Sequence, residues 1–303
     1  LEPCSTHGRT PPCVESILQA GIRRVVVAAI DPNPSHAGRG IRLLRGHGVE
    51  VETGIGAEEA ARLIAPFACL MRNRRPWFTL KLGLSLDGRI ADHTHSSRWI
   101  TGPEARKTVQ SMRRVSDAIL IGAGTLRHDN PSLWPRPDRG RSPWRVIVVR
   151  TGALPLSAQV FTDAHASRTI VAAPRGWVPA TARALRRKGI TVWELPCKRF
   201  LPALAEHLGE LGILRVLCEG GGILAGELVR ARLADELCVF LAPMLLGGPV
   251  GAMGNTQWRL AQAPRFQLAE SNSIGHDIFL RFEPAEPAGP AGTPRPGKRR
   301  KTQ

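Results

Sequence analysis

Tyrosine is missing from the 303 residues, and aromatic side chains make up only 5% of them. The alternation of aromatic and basic residues on which single-strand nucleic-acid binders stack bases is therefore not found. Cysteine is scarce, six in all, and too unevenly spaced to read as a disulfide framework; thiols used this sparingly suit a cytoplasmic protein that keeps them reduced or places them on metal. No stretch approaches the roughly 18 consecutive apolar residues of a membrane span. The opening LEPCSTHGRT has neither an apolar signal core nor an Arg-rich amphipathic presequence. It starts with Leu rather than Met, so residue 1 is expected not to be the natural start. There is no internal repeat. The G-x-G-x-x-G fingerprint does not occur at a strand-to-helix turn, which disfavours an ordinary Rossmann domain.

What is abundant is positive charge: 42 Lys and Arg against 25 Asp and Glu, a net +17. The cations are nearly all arginine and are spread through predicted helices and loops, as on a solvated surface. Nucleic-acid binding through the tail cations Arg295, Lys298, Arg299, Arg300 and Lys301 is the lesser reading. A basic cleft also suits a small phosphorylated substrate. Hydrophobic residues reach 43%, enough for sizeable cores.

Periodicity predicts alternating α and β elements, the pattern of a parallel or mixed sheet covered by helices. In the first part the expected strands are 22–30 and 49–53, and the expected helices are 14–20, 40–46 and 58–71. A polar break, Arg72-Asn73-Arg74-Arg75-Pro76, marks a domain boundary. Beyond it, strands are expected at 77–84, 118–122, 145–149, 169–173, 191–195, 214–218, 236–241, 266–270 and 277–282, and helices at 103–114, 179–188, 201–211 and 223–231. The chain thus divides into residues 1–75, a larger domain over 76–283, and a Pro- and Gly-rich basic tail over 284–303, expected to be disordered. Cys69, Cys197, Cys218 and Cys238 lie in apolar patterns and are expected to be buried thiols.

Two groups of residues carry chemistry. Cys4 and Cys13 bracket a polar loop, with Cys13 at a helix start that favours a thiolate. By spacing alone the pair is a weak signal. The strings PCSTHGRTPPC and DPNPSHAGRG, however, closely resemble the deaminase half of the bifunctional riboflavin-biosynthesis deaminase–reductases. The resemblance implies the C-terminal part of a cytidine-deaminase-like domain, with Cys4 and Cys13 as two of three protein ligands to zinc. The third ligand and the proton-shuttling glutamate belong to a His-x-Glu motif upstream, and no such motif precedes Cys4 here. His7, His36 and His47 are not followed by Glu at the right spacing, and Thr6 stands where the family often has His. The sequence as it stands is therefore expected not to deaminate, and to derive from a longer bifunctional enzyme.

The second group lies in the larger domain. Gly122-Ala123-Gly124-Thr125 and Glu219-Gly220-Gly221-Gly222 each follow a buried strand, where backbone amides can approach a phosphate. Two such turns suggest a dinucleotide and a phosphorylated partner bound beyond the strand ends. The segments LKLGLSLDGRIA, SRWITGPEAR, SDAILIGAGTLRHDNPSL and CEGGGILAGEL resemble, in order, the reductase half of the same family. The resemblance implies a dihydrofolate-reductase-like α/β fold that reduces 5-amino-6-(5-phosphoribosylamino)uracil with NADPH. It puts the cofactor against Gly83, Trp99, Thr125, Asp129 and the run Gly221, Gly222, Ile223, Leu224, Ala225, Gly226 and Glu227. It puts the substrate against Ser97, Arg113, Leu133, Arg136 and Glu219. Arg113 and Arg136 are the fork-shaped donors a ribose phosphate wants. Asp129 and Lys81 are the candidates for proton handling. A homo-oligomer is expected from the family, and no membrane partner. The competing reading is a stand-alone reductase of another pterin or pyrimidine.

Overall fold

The computed structural model describes residues 1–8, 10–138 and 142–285. It is an α/β structure with two sheets. The smaller pairs β1 (Arg24–Val27) with β2 (Glu50–Thr53) in parallel. Helices α1 (Cys13–Gln19) and α2 (Arg39–Gly46) close a small core of Val14, Val27, Ile41, Leu44, Val49 and Val51 against it. Strand β1 is shorter than the expected 22–30. Its one partner strand is four residues long, and Ile22 and Ile30 are left exposed on either side. Helix α3 (Ala57–Asn73) follows and ends at Arg74, whose φ of 54° breaks the helix.

The larger sheet begins with β3 (Trp77–Ser85). It continues through α4 (Pro103–Val115), β4 (Ala118–Gly122), α5 (Ala123–Asp129), β5 (Trp144–Val148), β6 (Thr169–Pro174), α6 (Pro179–Arg187), β7 (Thr191–Leu195) and α7 (Phe200–Glu210). Strand β8 (Arg215–Cys218), α8 (Gly222–Arg230), β9 (Glu236–Ala242), β10 (Phe266–Ile274) and β11 (Asp277–Pro284) complete it. The nine strands lie in the order β10-β11-β9-β3-β8-β4-β5-β6-β7. Strands β9 through β7 in that order are mutually parallel, and the β10–β11 hairpin adds antiparallel to β9.

Strands β4, β5, β6 and β8 bury apolar residues on both sides, as a doubly covered parallel sheet requires, whereas β3 carries Thr79 and Lys81 on the face away from Phe78, Leu80 and Leu82. Phe78, Leu80, Leu82, Leu120 and Val216 face α7 and α8. Ile119, Ile121, Ile147 and Leu217 face α5 and α6, while Ala105 and Val109 of α4 pack on Phe240. Arg145, wholly enclosed on β5, breaks the apolar layer and is held by Asp163.

Strand β10 runs on to Ile274 rather than ending at 270, and two further elements depart from expectation. Helix α5 has no counterpart among the expected helices, where Gly122-Ala123-Gly124-Thr125 stands only as a glycine-rich turn; in the structure the helix starts directly from the strand end. Strand β11 runs to Pro284, past the expected boundary at 283, because its last residues pair with Phe266 and Gln267. The tail from 286 to 303, expected to be disordered, lies outside the described residues.

Candidate active site

Strands β3, β8 and β4 are neighbours and parallel, so their carboxyl ends open on one edge of the sheet. The β3–β8 register pairs Leu80 with Cys218. The next residues along, Lys81 and Glu219, therefore emerge side by side, on the face opposite the core occupied by Leu80 and Cys218. Arg113, in the last turn of α4, meets Glu219 in a two-pronged ion pair, Nε to Oε1 at 2.5 Å and Nη2 to Oε2 at 2.8 Å. The two side chains are only 12% and 7% exposed. Burial opposes ionisation of Glu219, but Arg113 and Lys81 outweigh it and hold the carboxyl below its usual range. Burial, reinforced by Arg113, lowers the Lys81 ammonium against the pull of Glu219. Arg113 and Glu219, expected as separate substrate contacts, thus engage each other first. The pairing leaves Nη1 of Arg113 outside the fork.

The two glycine turns touch. A Cβ on Gly220 would lie 2.6 Å from the Gly122 nitrogen and 2.7 Å from Ile121 Cα, so only glycine allows this approach. The Gly221 N–H donates to Thr125 Oγ1 at 3.0 Å, tying one turn to the other. Gly124 faces open space, and a Cβ on Gly221 would meet nothing nearer than Thr125 Oγ1 at 3.4 Å. The first-turn amides of α8 have no carbonyl one turn back to bond. Open glycine backbone beside such amides fits the pyrophosphate of a dinucleotide. Ile223 is exposed; Leu224, Ala225 and Gly226 are buried, so they offer only backbone to a ligand, and Glu227 is half-buried. Gly226 serves packing as well, since a Cβ there would lie 2.5 Å from Met253 O.

The rim is built from the segment between β3 and α4. Ser97 Oγ donates to Asp129 Oδ1 at 3.2 Å, and the Arg98 guanidinium donates to the Asp129 carbonyl. Trp99 is 65% exposed, with the Arg106 guanidinium 4.5 Å from its ring centre. Gly83, on β3, has Thr101 close by, 3.3 Å from the position of a Cβ. Leu133 turns its side chain into the core with φ at 59°, so its backbone is what it can offer a ligand. Arg136 is exposed, and its backbone N–H donates to Gln110 Oε1 at 2.8 Å. Sequence reasoning missed Arg98, Arg106 and Thr101 at this rim, although all three lie in or beside the string SRWITGPEAR. It also missed Arg150, an exposed cation just beyond the end of β5 that stacks on Phe200.

Beside the smaller sheet, Cys4 and Cys13 do come together, Sγ to Sγ at 3.3 Å, with the Cys13 N–H donating to Cys4 Sγ at 3.2 Å. Among the described residues no group of three or more His, Cys, Asp or Glu could hold a metal ion. Two thiols alone do not complete a tetrahedral zinc site. Of the other cysteines, Cys69, Cys218 and Cys238 are buried as expected, and burial pushes the Cys218 thiol up to about 12. Cys197 is exposed, against expectation, because it lies in the loop between β7 and α7 rather than in either element.

No helix among the described residues is long and apolar enough to cross a membrane. Residues 76–280 match the family model of the RibD C-terminal domain. The riboflavin biosynthesis protein RibD of Bacillus amyloliquefaciens is 40% identical over 291 residues, covering 94% of this chain and 78% of that protein. RibD of Escherichia coli K12 is 37% identical over 302 residues, with coverage of 93% and 80%. Among solved structures, Acinetobacter baumannii RibD superposes with a TM-score of 0.81 at 36% identity, over 94% of this chain and 79% of that one. A Thermotoga maritima protein, described as a diaminohydroxyphosphoribosylaminopyrimidine deaminase/5-amino-6-(5-phosphoribosylamino)uracil reductase, gives 0.81 at 31% identity, over 94% and 78%. The yeast riboflavin biosynthesis reductase Rib7, at 20% identity and a TM-score of 0.53, shares the fold. With the reductase architecture expected from its motifs, a RibD C-terminal-domain match over two-thirds of its length and RibD relatives along nearly all of it, the chain belongs to the RibD family of riboflavin biosynthesis.

Proposed function

We propose that this protein is the NADPH-dependent reductase of 5-amino-6-(5-phosphoribosylamino)uracil, reducing the ribosylamino group to ribitylamino. The observation that carries the reading is the adjacency of two ligand-ready features on one sheet edge. A pair of touching glycine turns suits a dinucleotide pyrophosphate, and beside it Lys81, Arg113 and Glu219 form a buried charged group.

NADPH, when bound, supplies hydride to C1′ of the ribosyl group. The protein's work is to open the sugar ring and hold that carbon in place. Ring opening breaks the C1′–O4′ bond as the amine nitrogen forms a double bond to C1′. O4′ then takes a proton, leaving C1′ as the carbon to which a bound cofactor would deliver its hydride. Lys81 and Asp129 are the groups that hold or deliver that proton. The lowered Lys81 ammonium gives up a proton more readily than a solvated lysine, and Asp129 is fixed by Ser97. Arg136 and the outer Nη1 of Arg113 bind the phosphate. Glu219 keeps Arg113 oriented and accepts from sugar hydroxyls. Trp99, Gly83 and the run Gly221–Glu227 line the cofactor. A cytoplasmic homo-oligomer is the form in which we expect it to act.

The test is the loss of reduced-nicotinamide absorbance on adding the aminouracil ribosyl phosphate. An Arg136→Ala change should raise KM for that substrate much more than for NADPH. Equal effects on both, or no substrate-dependent oxidation by the unaltered protein, would defeat the proposal. Dihydrofolate in the same assay should give no turnover.

A further inference from the structure

The segment from Asn130 to Asp138, between α5 and β5, carries Leu133 and Arg136 on a path its own sequence does not favour. Asn130 and Leu133 have φ values of 41° and 59°. A leucine in the left-handed region is strained by its Cβ and persists only where neighbours hold it.

The neighbours are specific. Arg145 is wholly buried on β5 and sends Nη1 to the carbonyl of Ser132, the residue before Leu133, at 3.1 Å. The same guanidinium grips Asp163 with both Nη atoms, at 2.6 and 2.9 Å, and donates to Val160 O at 2.9 Å. On the other side of Leu133, the Trp134 ring lies flat on His165, with centroids 3.6 Å apart and planes 4° from parallel. The Trp134 Nε1–H donates to Asp138 Oδ1 at 2.8 Å, and Arg145 lies 5.8 Å from the same ring. Asn130 Oδ1 accepts the Gln159 N–H at 2.8 Å. At its far end the segment is tied to α4, the helix that bears Arg113, through Arg136 N–H and Gln110.

A buried ion pair inside an apolar layer is a costly way to fill space; well-packed hydrophobic residues there are often as stable or more so. Arg145 does what an apolar residue could not: it bonds the Ser132 carbonyl on the approach to the left-handed turn. We propose that Arg145 and Asp163, together with the Trp134–His165 stack, form a positioning unit that sets where Leu133 and Arg136 stand relative to Arg113, and so the grip on the substrate's phosphate. This rests on the reductase reading above. None of the four residues is placed in contact with substrate or cofactor; they act through the backbone of the segment.

The test uses two partners of the unit rather than Arg145 itself, whose replacement could unfold the sheet. His165→Ala should raise KM for the aminouracil nucleotide about tenfold, leaving KM for NADPH unchanged, and His165→Phe, which keeps a flat ring for Trp134, should restore it. Asp163→Asn, which loosens Arg145 while keeping a hydrogen-bonding group, should shift the nucleotide KM in the same direction. Amide exchange over residues 131–136 should quicken in His165→Ala and Asp163→Asn but not in His165→Phe. Unchanged exchange, equal effects on both KM values, or lowered thermal stability with an unshifted nucleotide KM would overturn the proposal. The exchange arm needs no turnover, so it stands apart from failure of the reductase reading, which shows as no nucleotide-dependent NADPH oxidation in the unaltered protein.

Discussion

Replacing Glu219 by glutamine tests the electrostatics of the cleft directly. In the native protein Glu219 is 7% exposed and takes both bonds of a fork from Arg113, with Lys81 nearby. Glutamine keeps the shape and one acceptor oxygen but leaves two buried cations without their counter-charge. Breaking a buried pair by removing one partner costs about 3–5 kcal/mol, and the retained acceptor places this substitution near the lower end. About 3 kcal/mol corresponds to a fall in melting temperature of roughly 6–12 °C for a domain of this size. The assay is urea unfolding of the variant, with Arg113→Met and the double variant measured alongside. The double variant should be more stable than the sum of the two single losses predicts, by about 1–3 kcal/mol. The same change removes the one neighbour whose carboxylate raises Lys81, so the Lys81 ammonium should drop further. If Lys81 delivers the proton, the alkaline limb of the rate profile moves to lower pH. A loss under about 1 kcal/mol, or strictly additive variants, would refute the account of this site as a tightly coupled charge group.

Other expectations follow from single contacts. Gly220→Ala forces a methyl within 2.6 Å of the Gly122 nitrogen, so NADPH affinity by fluorescence titration should fall more than about tenfold, with a stability loss of about 1–3 kcal/mol. Thr125→Val removes the acceptor for the Gly221 N–H and should weaken NADPH several-fold while leaving the nucleotide KM alone. Burial opposes the Asp163 carboxylate, but Arg145 holds its pKa below the usual value of 3.8. Its folded pKa is depressed, so its contribution is present above that value and lost as pH falls through the folded pKa. Unfolding measured downward from neutral pH should therefore show a steeper acid loss in the native protein than in Asp163→Asn; matching profiles would remove Asp163 as a source of acid sensitivity.

How much of this was legible depended on whether the signal was local. The strands β4 and β6 were readable because unbroken β-branched and apolar runs bounded by turns have one natural reading. The glycine turns were readable for the same reason, each being a short string next to a strand. Helix α5 was not, because Gly124 within it and Gly122 at its start carry a weak helix propensity that tertiary packing of Ala123 and Leu126 overrides. The Arg113–Glu219 pair was not visible either: both residues were singled out, but as independent ligands, since nothing local says that α4 ends over β8. Arg145 looked like an ordinary edge of a strand, and its burial is a consequence of what closes over β5 from residues 160–169.

The strand order has a consequence for how the protein is made. Strands β3 and β4 leave the ribosome early, yet they never touch; β8, synthesised after β5, β6 and β7, wedges between them. Until that late strand arrives, the nascent sheet has an open seam at its centre and two apolar edges for other chains to find. Lys81, Gly122 and Glu219 become neighbours only in the closing step, so enzyme interrupted before β8 should be both inactive and prone to aggregate, and chaperone capture should peak over that interval of synthesis.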